Sequence, residues 1–171
     1  VAIVAAKLFF GGNGSYVFSP ALIGRAFLFV SFKSAFSESK WLFPCGDEKQ
    51  AVWAMALIAA AFLYLVVMKA ISPESAASAA SYAAVLLAAC ILYSLISGEE
   101  ILPSAAGFMA SGAVLFMAVF IITDPTILPD SALGKILYGA FTAILTFIIM
   151  IPGKTQDGAM FAILIMNAVA P

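Results

Sequence analysis

Residues Ala51–Met68, AVWAMALIAAAFLYLVVM, run for 18 positions without a charge. At a helix centre each Leu, Ile, Phe or Val favours membrane insertion by roughly 0.3–0.6 kcal/mol, whereas a charged residue opposes it by about 2.5–3.5. A run of about 18 such residues is a candidate membrane span, and a soluble core helix rarely needs one. The chain therefore reads as an integral membrane protein.

Composition narrows what such a protein can do. A soluble domain carries about a quarter charged residues; this chain has 10%. Eight Lys plus Arg stand against nine Asp plus Glu, which leaves no basic surface for nucleic acid. Histidine is absent, and with it the commonest general base and transition-metal ligand. Cys45 and Cys90 form no CxxC. Cys90 lies in an apolar run and reads as a small buried filler, while Cys45 sits in a polar loop. Haem, iron–sulfur and other metal sites held by this chain alone are not expected. The chain opens at Val1 in mid-hydrophobic run and stops at Pro171 after another, so it is expected to be part of a longer polytopic protein.

Seven apolar segments can be drawn: Val1–Phe10, Ala21–Phe36, Ala51–Ala70, Ala77–Ser97, Ser104–Ile122, Ala132–Ile151 and Gly158–Ala170. The expected fold is all-α, a polytopic transmembrane bundle with about six to seven spans. Residues 1–171 would form one transmembrane domain. The last segment is short enough to cross only halfway. Lys and Arg fall evenly between alternate loops, so the positive-inside rule gives no orientation. Small residues recur at helical spacing, among them Ala56 with Ala60, Ala76 with Ala80, Gly107 with Ser111, and Gly134 near Gly139. Such positions let membrane helices approach closely.

Three places break the apolar pattern. Gly11–Pro20 (GGNGSYVFSP) has three glycines in four residues, which permit positive φ and close backbone approach to a ligand; a plain interhelical turn is the bland alternative. A helix starting after Ser19-Pro20 would aim its positive end into this turn, and Arg25 would strengthen that field. The second break is Thr123-Asp124-Pro125. An ionisable residue near membrane depth is a functional candidate by default, although Asp124 can equally cap a short turn, with Ser131 as N-cap of the next helix. The third is Pro152–Gly158, a chain reversal in which Asp157 is expected to cap the last helix. Beyond it Asn167 sits in an apolar run, where it needs a partner: a cross-helix hydrogen bond, or a cofactor or ion.

Four passages in order, KLFFGGNGSYVFSPALIGRAFLFVSF (Lys7–Phe32), FMASGAVLFMAVFIITDP (Phe108–Pro125), LGKILYGAFTAILTFIIMIPG (Leu133–Gly153) and DGAMFAILIMNAVAP (Asp157–Pro171), resemble the RnfD/NqrB family. Each motif is weak alone; their combination and order are specific. The resemblance covers most of the chain and starts after the family's first few helices. It implies a multi-pass subunit in the inner (cytoplasmic) membrane of a prokaryote. Such a subunit works within an Rnf ferredoxin:NAD oxidoreductase or a Na⁺-translocating NADH:quinone oxidoreductase, where flavin redox steps drive Na⁺ or H⁺ movement. Its implied partners are the other subunits of that complex and the lipid bilayer.

Family members typically hold FMN through a phosphoester to Thr in a Ser-Gly-Ala-Thr-like motif, in the loop after the Gly-Arg helix. Here that loop, KSAFSESKWLFPCGDEKQ, has no Thr, and all five Thr lie at or beyond position 123. The near-match Ser111-Gly112-Ala113-Val114 ends in a residue without a hydroxyl. Covalent FMN is therefore not expected, leaving FMN bound non-covalently or not at all. Ser19 also stands where Asn is usual before the Pro. The candidate cofactor-binding residues are Gly11, Gly12, Gly14 and Arg25 for close ligand approach. Thr123 and Asp124 are candidates for an ion or cofactor contact, and Asn167 for an interhelical link. No residue is assigned a catalytic role. A transporter or channel, with breaks before Ala21 and Ala159 in corresponding positions, and a cofactor-free assembly subunit stay open as alternatives.

Overall fold

In a computed structural model, residues 2–4, 11–12, 15–16, 18–32, 48–98, 112–153 and 157–169 are described. Six helices occur among them: α1 (Pro20–Ser31), α2 (Glu48–Val67), α3 (Pro73–Ser97), α4 (Gly112–Phe116), α5 (Ala132–Gly153) and α6 (Gly158–Val169). A short antiparallel pair, β1 (Gly11–Gly12) with β2 (Ser15–Tyr16), precedes them. The all-α bundle expected from the sequence is what forms, with the glycine-rich segment folded into a hairpin rather than an open turn. α3 and α5 are the two described helices long and apolar enough to cross a membrane. α1 and α6, at 12 residues each, rise about 18 Å, little more than half a bilayer.

Local chemistry sets the ends. Ser72 precedes Pro73 at the first position of α3, and Ser72 Oγ accepts from the Ser75 N–H at 3.1 Å. Proline there has a preset φ and no N–H to leave unsatisfied. Gly98 closes the same helix at φ 71°, donating to the Ser94 carbonyl at 2.9 Å, the left-handed position that glycine fills without strain. α2 ends differently. Lys69 takes φ 55°, with the Lys69 N–H on the Val66 carbonyl and the Ala70 N–H on the Leu65 carbonyl, both at 3.0 Å. That is a glycine position held by a lysine. Lys69→Gly should therefore stabilise the protein by about 1 kcal/mol, read as a higher thermal midpoint in detergent.

Ser131 caps α5 as expected: its Oγ accepts from the Gly134 N–H at 3.1 Å and its carbonyl from the Lys135 N–H at 3.0 Å. Ser131→Ala should lower the thermal stability by about 1 kcal/mol. α4 does not continue as an α-helix. Met117–Ile121 winds as a π-turn, with the Ile122 N–H bonded to the Met117 carbonyl at 2.9 Å. Thr123 Oγ1 takes the Val119 carbonyl at 2.5 Å. Such turns interrupt helices often at functional places.

α3 packs most extensively on α5, and α5 on α6. Lys135 meets Glu74 at 2.6 Å near the starts of α5 and α3, Gly139 lies against Ser78, and Tyr82 reaches Thr146 at 3.3 Å further along. α3 and α5 therefore run in the same direction. The crossing is close because Gly139 has no side chain: a Cβ there would overlap the Ser78 carbonyl oxygen and Ser81 Oγ. Hydroxyls sew the contact together. Ser78 Oγ lies 2.7 Å from the Ser75 carbonyl and 3.1 Å from that of Ile122, and Ser81 Oγ lies 2.9 Å from Ser78's and 3.0 Å from Ile136's. Each shares its proton between its own helix and a neighbour.

α5 and α6 form an antiparallel hairpin, with Gly158 against Met150. α1 lies on α6 in the same direction, since Arg25 meets Asp157 and Phe29 meets Phe161 edge-on with centroids 5.7 Å apart. The buried core joins Leu22, Tyr82, Leu86, Val114, Ile122, Tyr138, Met160 and Ile163. Outside it, Trp53, Leu57, Leu63, Ile96, Leu133, Phe141 and Ile148 are exposed. Apolar surface on that scale suits lipid or neighbouring helices, not water.

Candidate functional site

The sequence candidates separate to two ends of the bundle. At one end the N-termini of α1 and α6 lie together, and the β1–β2 hairpin leads into the first of them. Pro20 opens α1, and the Ser19 carbonyl accepts from the Ile23 N–H at 3.1 Å. Ser19 is buried and its side chain makes no cap hydrogen bond. Arg25, one turn into α1, donates from Nε to Asp157 Oδ1 at 3.1 Å and also from Nη2 to the same oxygen.

Asp157 was expected to cap α6. Its backbone carbonyl does start the helix, accepting from the Met160 and Phe161 N–H groups at 3.1 and 3.4 Å, but its carboxylate is turned onto Arg25. The carboxylate still gains from the positive end of α6. With side chains only 21% and 10% exposed, the pair is shielded from solvent. Removing one partner would strand the other charge at a cost of several kcal/mol.

Gly11 and Gly12 occupy the first strand of the hairpin; Gly14 lies outside the described residues, as do Cys45 and the loop of residues 33–47. This end therefore presents backbone from a glycine hairpin, two helix N-termini and an arginine whose charge is matched by Asp157. An anionic group placed at Arg25 has to compete with Asp157.

At the other end sit the starts of α3 and α5, the π-turn and the C-terminal part of α6. Asp157 and Asn167 are ten residues apart on α6, so about 15 Å separates the two ends along that helix. Asp124 Oδ1 accepts from the Thr126 N–H at 3.0 Å and Thr126 Oγ1 at 2.6 Å. It thereby forms the local turn that capping chemistry favours. Thr123 is buried and bonded back to Val119. Tyr138 donates to Asn167 Oδ1 across the α5–α6 contact.

Sequence reasoning passed over Tyr138. It also passed over the two threonines after it, Thr142 and Thr146, whose hydroxyls bond to the carbonyls one turn back at 2.6 and 2.8 Å. Their four-residue spacing along a span was the available signal. All three are 1% exposed or less, so α5 turns a polar stripe inward.

Among the described residues no group of three or more His, Cys, Asp or Glu is placed to hold a metal ion. Among the described residues the arrangement offers hydrogen bonds and charge placement.

A model described as the NQR2, RnfD, RnfE family matches residues 1–52 and 45–171. Over 68 residues the chain is 40% identical to a subunit of the ion-translocating oxidoreductase complex of Haemophilus influenzae (strain PittEE), covering 40% of this chain and 19% of that protein. Over 75 residues it is 39% identical to the like-named protein from Pseudomonas paraeruginosa (strain DSM 24068 / PA7), covering 44% and 22%. The counterpart in Pseudomonas aeruginosa (strain UCBPP-PA14) is 37% identical over 75 residues, covering 44% and 22%. The chain spans about a fifth of the length of the curated relatives it matches.

Proposed function

Because the chain belongs to the NQR2, RnfD, RnfE family, we propose that it is a membrane subunit of an ion-translocating electron-transport complex of Rnf type. It contributes the scaffold, a flavin site and part of a path for Na⁺ or H⁺. The observation that carries this reading is the end of the bundle where α1 and α6 meet. Two short helices start side by side there, joined by Arg25 and Asp157, directly after a glycine hairpin.

A flavin held at that end would rest on the Gly11–Gly12 backbone and the N-terminal turn of α1. When bound, the flavin supplies the electron-transfer chemistry, and the chain's part is to place and tune it. Gly11 and Gly12 leave room for ring approach, and the helix ends favour a reduced, more electron-rich ring. Arg25 is held in position by Asp157 and sets the local field. Thr123 and Asp124, at the far end, are the groups proposed for contact with the moving cation.

Denaturing electrophoresis of the purified complex tests the flavin part. No ultraviolet-excited fluorescence should remain in this chain's band, and flavin should appear in the supernatant. A fluorescent band would mean covalent attachment and contradict the reading of the Thr-free loop; no flavin anywhere would favour a cofactor-free assembly subunit. Paired broken helices are also how transporters build sites. Substrate uptake into liposomes by this chain without an electron donor would favour that class instead.

A further inference from the structure

Among the described residues Asn167 is the buried side chain that leaves a polar atom unmatched. Its Oδ1 accepts from Tyr138, but its Nδ2 has no hydrogen-bond partner. Turning the amide over only moves the difficulty, since Nδ2 would then face Tyr138 and the oxygen would be left over. Both residues are 1% exposed, so bulk water does not reach them. Ile163 and Met166, beside Asn167 on α6, are buried and apolar. A buried donor without an acceptor is rare in native proteins and points to something that meets it.

We propose that one internal water molecule occupies this node and closes a three-member ring of hydrogen bonds. Asn167 Nδ2 donates to the water, the water donates to Tyr138 Oη, and Tyr138 donates to Asn167 Oδ1. Each donor then has an acceptor, and the ring polarises itself in one direction. The occupant must be small, because neither side chain opens to the surface. It must also accept and donate at once, which water does and a carbonyl does not. Proteins hold on the order of one buried water per 27 residues, each typically with two to four polar partners. The ring would be a second polar link between α5 and α6, and gives a reason for an amide in a helix otherwise rich in Ile, Met and Ala. The inference does not depend on the flavin reading.

Infrared difference spectra of the intact membrane complex in H2¹⁶O and H2¹⁸O test it. Wild type should show an ¹⁸O-sensitive O–H stretch from a bound water that is absent in Asn167→Leu and shifted in Tyr138→Phe. The second variant keeps the ring's bulk, so it reports even if the first fails to assemble. Two outcomes overturn the proposal. One is an unchanged set of water bands in both variants, accompanied in Asn167→Leu by a higher Tm, meaning a dry unmatched amide. The other is loss of a bound chromophore from Asn167→Leu with no water band altered, meaning that a ligand group fills the node.

Discussion

Gly139→Ala should lower the stability of the bundle by about 3 kcal/mol, and Gly139→Val should prevent assembly. Overpacking usually costs about 1–3 kcal/mol because side chains can yield; here one clash is with backbone. The new Cβ would overlap the carbonyl oxygen of Ser78 as well as Ser81 Oγ, and both serines hold hydrogen bonds across to neighbouring segments. Pushing α3 away therefore strains the Ser78–Ile122 and Ser81–Ile136 bonds and the Lys135–Glu74 pair together. Ala88→Leu, on the exposed face of α3, is the control and should fall within about 0.5 kcal/mol of wild type. The fraction of chain in the assembled complex on native gels, with its thermal midpoint, reads both variants.

The second large effect is at the α1–α6 contact. Arg25→Ala and Asp157→Ala should each cost about 3 kcal/mol, because each leaves a poorly solvated charge without its partner. The double variant should cost clearly less than the sum, since no stranded charge remains. Arg25→Asp should be worse than either alanine variant by placing two carboxylates together, and adding Asp157→Arg should recover part of the loss. Strictly additive costs in the alanine cycle would show that the two side chains do not interact.

Much of the helical frame could be read from residues. The apolar run Ala77–Ser97 marked α3 to within about a turn at its start and to the residue at its end. Ser131 and the run behind it located α5. These are local signals, set by neighbours in sequence. What the sequence could not give is what lies far apart along the chain. Asp157 looked like a cap because only its neighbours were visible; its partner is 132 residues away on another helix. Asn167 was recognisably in need of a partner, yet Tyr138 read as one more aromatic in an apolar span. The π-turn is followed at Ile122 by a contact from Ser78 of α3, a neighbour that lies 44 residues away in the chain. Gly139 was one small residue among many until the crossing with Ser78 singled it out. The separation of the candidates to two ends follows from the antiparallel α5–α6 hairpin, which the order of motifs does not reveal.

The most direct test is to tag this chain, extract it from native membranes with mild detergent, and purify what accompanies it. The expected result is release only with detergent, together with redox subunits and bound flavin, in a preparation whose electron transfer drives Na⁺ or H⁺ uptake once reconstituted into liposomes. A chain that stays in the aqueous fraction, or leaves the membrane with no oxidoreductase partner and no flavin, would contradict the account.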